Sequence, residues 1–95
     1  MLTFIKMKIN TLLTILDNFR EIDEKHPDCA VEPSVIASRI KLKMNTTINY
    51  LDKLTKYQFL TKFPNHDIYK LNKGYIRWKK NCFKVLKSQV ELKLP

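Results

Sequence analysis

The stretch that most constrains this chain is residues 36–54, IASRIKLKMNTTINYLDKL. It contains neither glycine nor proline, yet its apolar periodicity breaks halfway. Ile36, Ala37 and Ile40 share one face, the basic run KLKMN intervenes, and Ile48, Leu51 and Leu54 resume at three-residue spacing. One helix could run through, or two could meet at a corner. Asn45 is a good N-cap with Thr46 and Thr47 behind it, which favours a corner at about residues 42–45. The spacing then predicts helices over about 34–41 and 45–56.

The flanks extend this order. Ile5, Ile9, Leu12, Leu16 and Phe19 recur at alternating four- and three-residue steps, widened by Ile15 and Ile22, and predict a helix over 4–25. Pro27 and Pro33 bracket a loop, with Pro33 suited to the first turn of the next helix and Glu32 or Ser34 near its cap. Val35, Ile36, Ala37 and Ile40 are the expected inner face of that helix. Downstream, QFLTKF and DIYKL are β-favouring runs separated by PNH, so a hairpin is expected over 58–72 with its tip near Asn65 and His66. Gly74 marks the junction to a fourth helix over 74–93. The chain reads as a single α+β domain, mostly α.

Charge narrows the function classes. Eighteen Lys and Arg oppose nine Asp and Glu, a formal net +9. Residues 1–40 hold five basic and six acidic side chains, whereas 41–95 hold thirteen and three. Such asymmetry attracts polyanions, nucleic acid before anionic membrane. No apolar run is long enough to span a bilayer and the N-terminus makes a poor secretory signal, so a soluble cytoplasmic protein is expected. Cys29 and Cys82 form no disulfide framework or zinc pattern and are expected to be reduced, although one bridge between them stays open. His26 and His66 are not at metal-ligand spacing, so neither metal nor cofactor is expected. No catalytic grouping is visible, and a single glycine leaves no phosphate-cradling loop, so no enzymatic activity is expected.

The segment IASRIKLKMNTTINYLDKLTKYQFL, followed by IYKLNKG, resembles the winged helix-turn-helix DNA-binding family. Ile36, Ala37, Ile40, Leu42, Thr46, Thr47, Ile48, Leu51 and Leu54 match its pattern over about residues 33–75. Lys41 and Gln58 stand where that family commonly has glycine. The fourth helix is similar to that of dimeric MarR-like members and of small archaeal chromatin proteins. The small size and the Lys, Ile and Asn bias look archaeal or viral, which would put a viral protein in the host cytoplasm. The resemblance implies double-stranded DNA as partner and a homodimeric transcriptional regulator dimerising through its terminal helices. Non-specific chromatin binding and a protein–protein adaptor role are the alternatives.

Thr46, Asn49, Tyr50 and Lys53 cluster within a third of the circumference of the 45–56 helix, with Ile48, Leu51 and Thr55 opposite. Asn49 suits an adenine edge, Thr46 and Thr47 a phosphate or thymine methyl, Lys53 a phosphate, and Tyr50 either. Lys41 and Lys43 in the turn, and Lys62, Asn65, His66 and Lys70 in the hairpin, are the expected backbone contacts. Lys73, Arg77, Lys80, Lys84 and Lys87 form a basic stripe on the fourth helix, beside a broad apolar arc. That arc exceeds what packing on so small a domain needs, so Ile5, Ile9, Leu12, Trp78, Phe83, Leu86 and Val90 are the expected dimer interface.

Overall fold

A computed structural model describes residues 9–72 of the chain. The expected fourth helix, and residues 4–8 of the expected first one, lie outside them. The order is α1 (Ile9–Lys25), α2 (Pro33–Ile40), α3 (Met44–Lys56), β1 (Leu60–Lys62) and β2 (Tyr69–Leu71). Among the described residues the fold is therefore α+β and mostly helical, with one small antiparallel hairpin.

α1 exists because its apolar residues face one way. Leu12, Leu13, Ile15, Leu16, Phe19 and Ile22 are all buried, and this stripe packs against α2 and β2. The helix ends before Pro27, and the Asp28 N–H donates to Asp23 Oδ1 at 2.8 Å. Pro33 opens α2 at the position where a missing N–H costs nothing. Its inner face is Pro33, Ile36 and Ala37, with Ile40 half-buried. Val35, expected to face inward, is 42% exposed, because the turn that Pro33 anchors points the next two side chains outward.

The corner between α2 and α3 is real and tighter than the sequence suggested. α3 begins at Met44, with Lys43 rather than Asn45 as N-cap and no capping side chain. Lys41 adopts the left-handed conformation, φ 57°, and the Leu42 N–H reaches back to the Ala37 carbonyl at 3.1 Å. α3 ends in the same way. Gln58 has φ 71°, its N–H donates to the Thr55 carbonyl at 2.9 Å, and the Phe59 N–H donates to the Leu54 carbonyl at 2.9 Å. These bonds, six-to-one for Leu42 on Ala37 and Phe59 on Leu54, satisfy carbonyls that a helix end leaves open. In each case an apolar residue follows the left-handed one and packs into the core, Leu42 partly and Phe59 completely. Both helix stops therefore use a non-glycine residue in a glycine conformation.

The hairpin pairs Leu60 with Leu71, Thr61 with Lys70 and Lys62 with Tyr69. Its turn is closed by the His66 N–H on the Phe63 carbonyl at 3.2 Å, with Pro64 first and Asn65 at φ 65° second. That is the type II arrangement, in which proline presets one dihedral and asparagine tolerates the next. β2 has a second neighbour, since Val31 and Tyr69 exchange both backbone hydrogen bonds, at 2.7 and 2.9 Å. The loop before α2 is thereby fastened to the hairpin.

A left-handed non-glycine residue costs about 1–2 kcal/mol, partly offset by glycine's greater freedom in the unfolded chain. Lys41→Gly and Gln58→Gly are each expected to raise stability by about 0.5–1 kcal/mol in urea denaturation. Lys43→Gly, at φ −64°, is expected to give no such gain.

Candidate nucleic-acid interface

α3 sits on the core through Thr47, Tyr50, Leu51 and Leu54, all buried. Two of the expected recognition residues therefore do not face outward. Thr47 is wholly buried, and its hydroxyl donates to the Lys43 carbonyl at 2.9 Å, which satisfies the group without water. Tyr50 is only 6% exposed and belongs to the hydrophobic cluster. Relative to the expected inner face of Ile48, Leu51 and Thr55, the helix is rotated by roughly 80° at about 100° per residue. Ile48 and Thr55 lie at the margin, half-buried.

The outer stripe that results is Asn45, Asn49, Asp52 and Lys56, at four–three–four spacing and all exposed. Thr46 and Lys53, both half-buried, flank it on one side. Lys53 lies over the Tyr57 ring, 5.1 Å from its centroid, which steadies the ammonium beside the stripe. At the start of the helix Lys41 and Lys43 are exposed, and with Lys56 they form no ion pair among the described residues. Asn49, Thr46 and Lys53 are thus gathered on or beside one surface, and Lys41 and Lys43 are exposed in the turn that leads into the helix. Asn45, Asp52 and Lys56 join them although sequence reasoning had not included them.

The hairpin lysines are engaged elsewhere. Lys62 Nζ lies 3.7 Å from Asp52 Oδ1, 3.6 Å from Asp67 Oδ1 and 5.5 Å from the centre of the Tyr69 ring. Lys70 Nζ lies 4.0 Å from Asp28 Oδ1. These are exposed pairs, worth little in stability and open to exchange with another anion. Asn65 and His66 are exposed at the tip.

Tyr69 joins the hairpin to α3. Its side chain is fully buried, and its hydroxyl donates to Asp52 Oδ1 at 2.6 Å. Burial, the hydrogen bond to Asp52, and the charges of Asp52 and Asp67 all hold the phenol above its ordinary pKa of 10.0. Nothing in the local pattern announces this contact, which spans seventeen residues of sequence.

The electrostatics of residues 9–72 are uneven. They hold nine basic and eight acidic side chains, a balance of +1, so eight of the nine net positive charges belong to 1–8 and 73–95. Within 9–72 the acids gather before α2. Residues 9–37 hold two basic and six acidic groups, and residues 38–72 hold seven and two. Arg39 spans the divide, 3.6 Å from Glu21 and hydrogen-bonded to Asn18 at 3.2 Å.

Of the expected dimer-interface residues, Leu12 is wholly buried inside this chain's own core and has no surface to offer a partner. Ile5, Trp78, Phe83, Leu86 and Val90 lie outside the described residues, as does the side chain of Ile9. Cys29 is exposed, and Cys82 lies outside the described residues. No described helix is long and apolar enough to cross a membrane. Compared with family models, curated proteins and solved structures, the chain matches none.

Tyr69→Phe removes one charge-assisted hydrogen bond and is expected to cost about 1.5–3 kcal/mol near neutral pH. A phenol with a raised folded-state pKa gives stability that is complete below pH 10 and is lost as pH rises through the folded value. Between those values the unfolded chain binds fewer protons than the folded one, so stability falls with pH. The wild type should therefore lose about 1.4 kcal/mol per pH unit more than Tyr69→Phe above pH 10. Paired urea titrations at pH 9, 10 and 11 would measure the difference.

Proposed function

We propose that this chain is a winged helix-turn-helix protein that binds double-stranded DNA as a small homodimeric transcriptional regulator. α3 enters the major groove, and the hairpin tip lies along the backbone or in the minor groove. The observation that carries this reading is the division of α3 into two faces. Thr47, Tyr50, Leu51 and Leu54 fix it to the core, while Asn45 and Asn49 present amides outward among Thr46, Lys53 and Lys56. A helix that reads base edges needs that division, because one face must be held and the other must donate and accept. Asn49 is the leading base contact, since its amide can pair with both N6 and N7 of adenine. Lys41, Lys43, Lys53 and Lys56 are phosphate partners, and Lys62 and Lys70 join them by exchanging their carboxylates for phosphates.

Two copies would place their α3 helices about 34 Å apart, one turn of duplex, and read a pseudo-palindrome. The apolar residues Trp78, Phe83, Leu86 and Val90 remain the candidate interface. A second reading, binding without sequence choice, is favoured by the concentration of net charge in residues 1–8 and 73–95, outside the sequence of the helix that would read bases. Charge of that kind gives salt-sensitive affinity to any duplex.

Competition gel shifts on fragments of the source genome separate the two. A specific regulator should prefer its own fragment over unrelated duplex by about 10³-fold or more. Asn49→Ala with Lys53→Ala should reduce that preference at least about tenfold, with melting temperature little changed. Equal binding to all duplexes would leave the non-specific reading, and no binding to any duplex would end both.

A further inference from the structure

The outer stripe of α3 contains one residue that a polyanion-binding surface has electrostatic reason to avoid. Asp52 lies between Asn49 and Lys56 on the exposed side, with its side chain 49% accessible. At that position a carboxylate repels phosphates and lowers affinity for any duplex. One of its oxygens is accounted for, because Oδ1 accepts from the Tyr69 hydroxyl at 2.6 Å and lies 3.7 Å from Lys62 Nζ. The other, Oδ2, makes no hydrogen bond among the described residues. A neutral asparagine could accept from the Tyr69 hydroxyl with less repulsion, and Lys62, which also faces Asp67, answers the charge only in part. Among the described residues, Oδ2 is thus the carboxylate oxygen left open to a donor on a bound duplex.

We propose that Asp52 is a specificity-determining residue, whose Oδ2 accepts a hydrogen bond from the N4 amino group of a cytosine in the major groove. The inference rests on the DNA-binding reading above. The groove offers two amino donors, cytosine N4 and adenine N6. Beside adenine N6 stands the N7 acceptor, which repels a carboxylate, so cytosine is the better match. Asn45, Asn49 and Asp52 cover about 10 Å along the helix axis, a length of about three base-pair steps. Tyr69 and Lys62 hold the carboxylate by Oδ1, so that its orientation is fixed before DNA arrives. Asp52 thus combines one readout with a penalty on every site that lacks the cytosine.

Binding-site selection from random duplex, carried out on the full chain and on Asp52→Asn, tests this. Asparagine keeps an oxygen for Tyr69, so the variant should melt near the wild type. The wild type should select a G·C pair, cytosine facing α3, at one position of its site. In Asp52→Asn that preference should fall about tenfold or more or pass to adenine, other positions should hold, and affinity for unrelated duplex should rise. Tyr69→Phe, which removes one of the two holds on the carboxylate, should blur that position more than any other. A selected site unchanged in Asp52→Asn would overturn the inference while leaving DNA binding intact. So would uniform weakening at every position, which would mark Asp52 as a support for α3. Failure of the wild type to select any site would remove the sequence-specific reading itself, and this inference with it.

Discussion

Tyr69 holds the parts of this structure together. Its backbone pairs with Lys62 on one side and with Val31 on the other, so β2 lies between β1 and the loop before α2. Its ring is buried, and its hydroxyl is tied to Asp52 on α3. One residue thus links the hairpin, the inter-helix loop and the helix whose outer face is the candidate interface. A three-residue two-stranded hairpin is marginal by itself, and this one persists because it is packed and bonded on three sides. Truncating the phenol would loosen the angle between α3 and the hairpin tip, the two parts that would need a fixed relation to reach one duplex together.

The same contact explains why the hairpin is less free to act than its composition suggests. Lys62 is the cross-strand partner of Tyr69, and its ammonium lies over the tyrosine ring between two carboxylates. Its charge is already partly used in holding the hairpin. A phosphate could take the place of Asp67, whose side chain is far more exposed than that of Asp52. The described part of the molecule is close to neutral, so its affinity for a polyanion would depend on placement rather than on excess charge.

Much of the order of elements was legible because its signals are local. Pro33 opens α2, the apolar stripe from Leu12 to Ile22 defines α1, and Pro64 with Asn65 makes the turn. The orientation of α3 was not legible. Threonine and tyrosine count as polar in a helical projection. Here Thr47 is buried at no cost because it bonds to its own preceding turn, and Tyr50 contributes its ring to the core. Asp52 escaped notice for a different reason, since what holds it comes from a distant strand and leaves no periodic trace. The dimer assignment of Leu12 failed because one apolar stripe cannot say whether its own chain or another covers it.

The two left-handed helix stops bear on the order of events in folding. Nothing in residues 36–54 halts a helix by intrinsic preference, since neither glycine nor proline is present. The turn at Lys41 is held by the Leu42 N–H on Ala37 and by Leu42 reaching the core. Before a core exists only the first of these is available, and a helix running straight on satisfies the same backbone groups. The corner therefore depends on the packing of Leu42 against the core as well as on its own backbone bond. A chain ending near residue 56 would lack Phe59 and Tyr69, two of the buried side chains in the core cluster against which Leu42 packs to hold that corner.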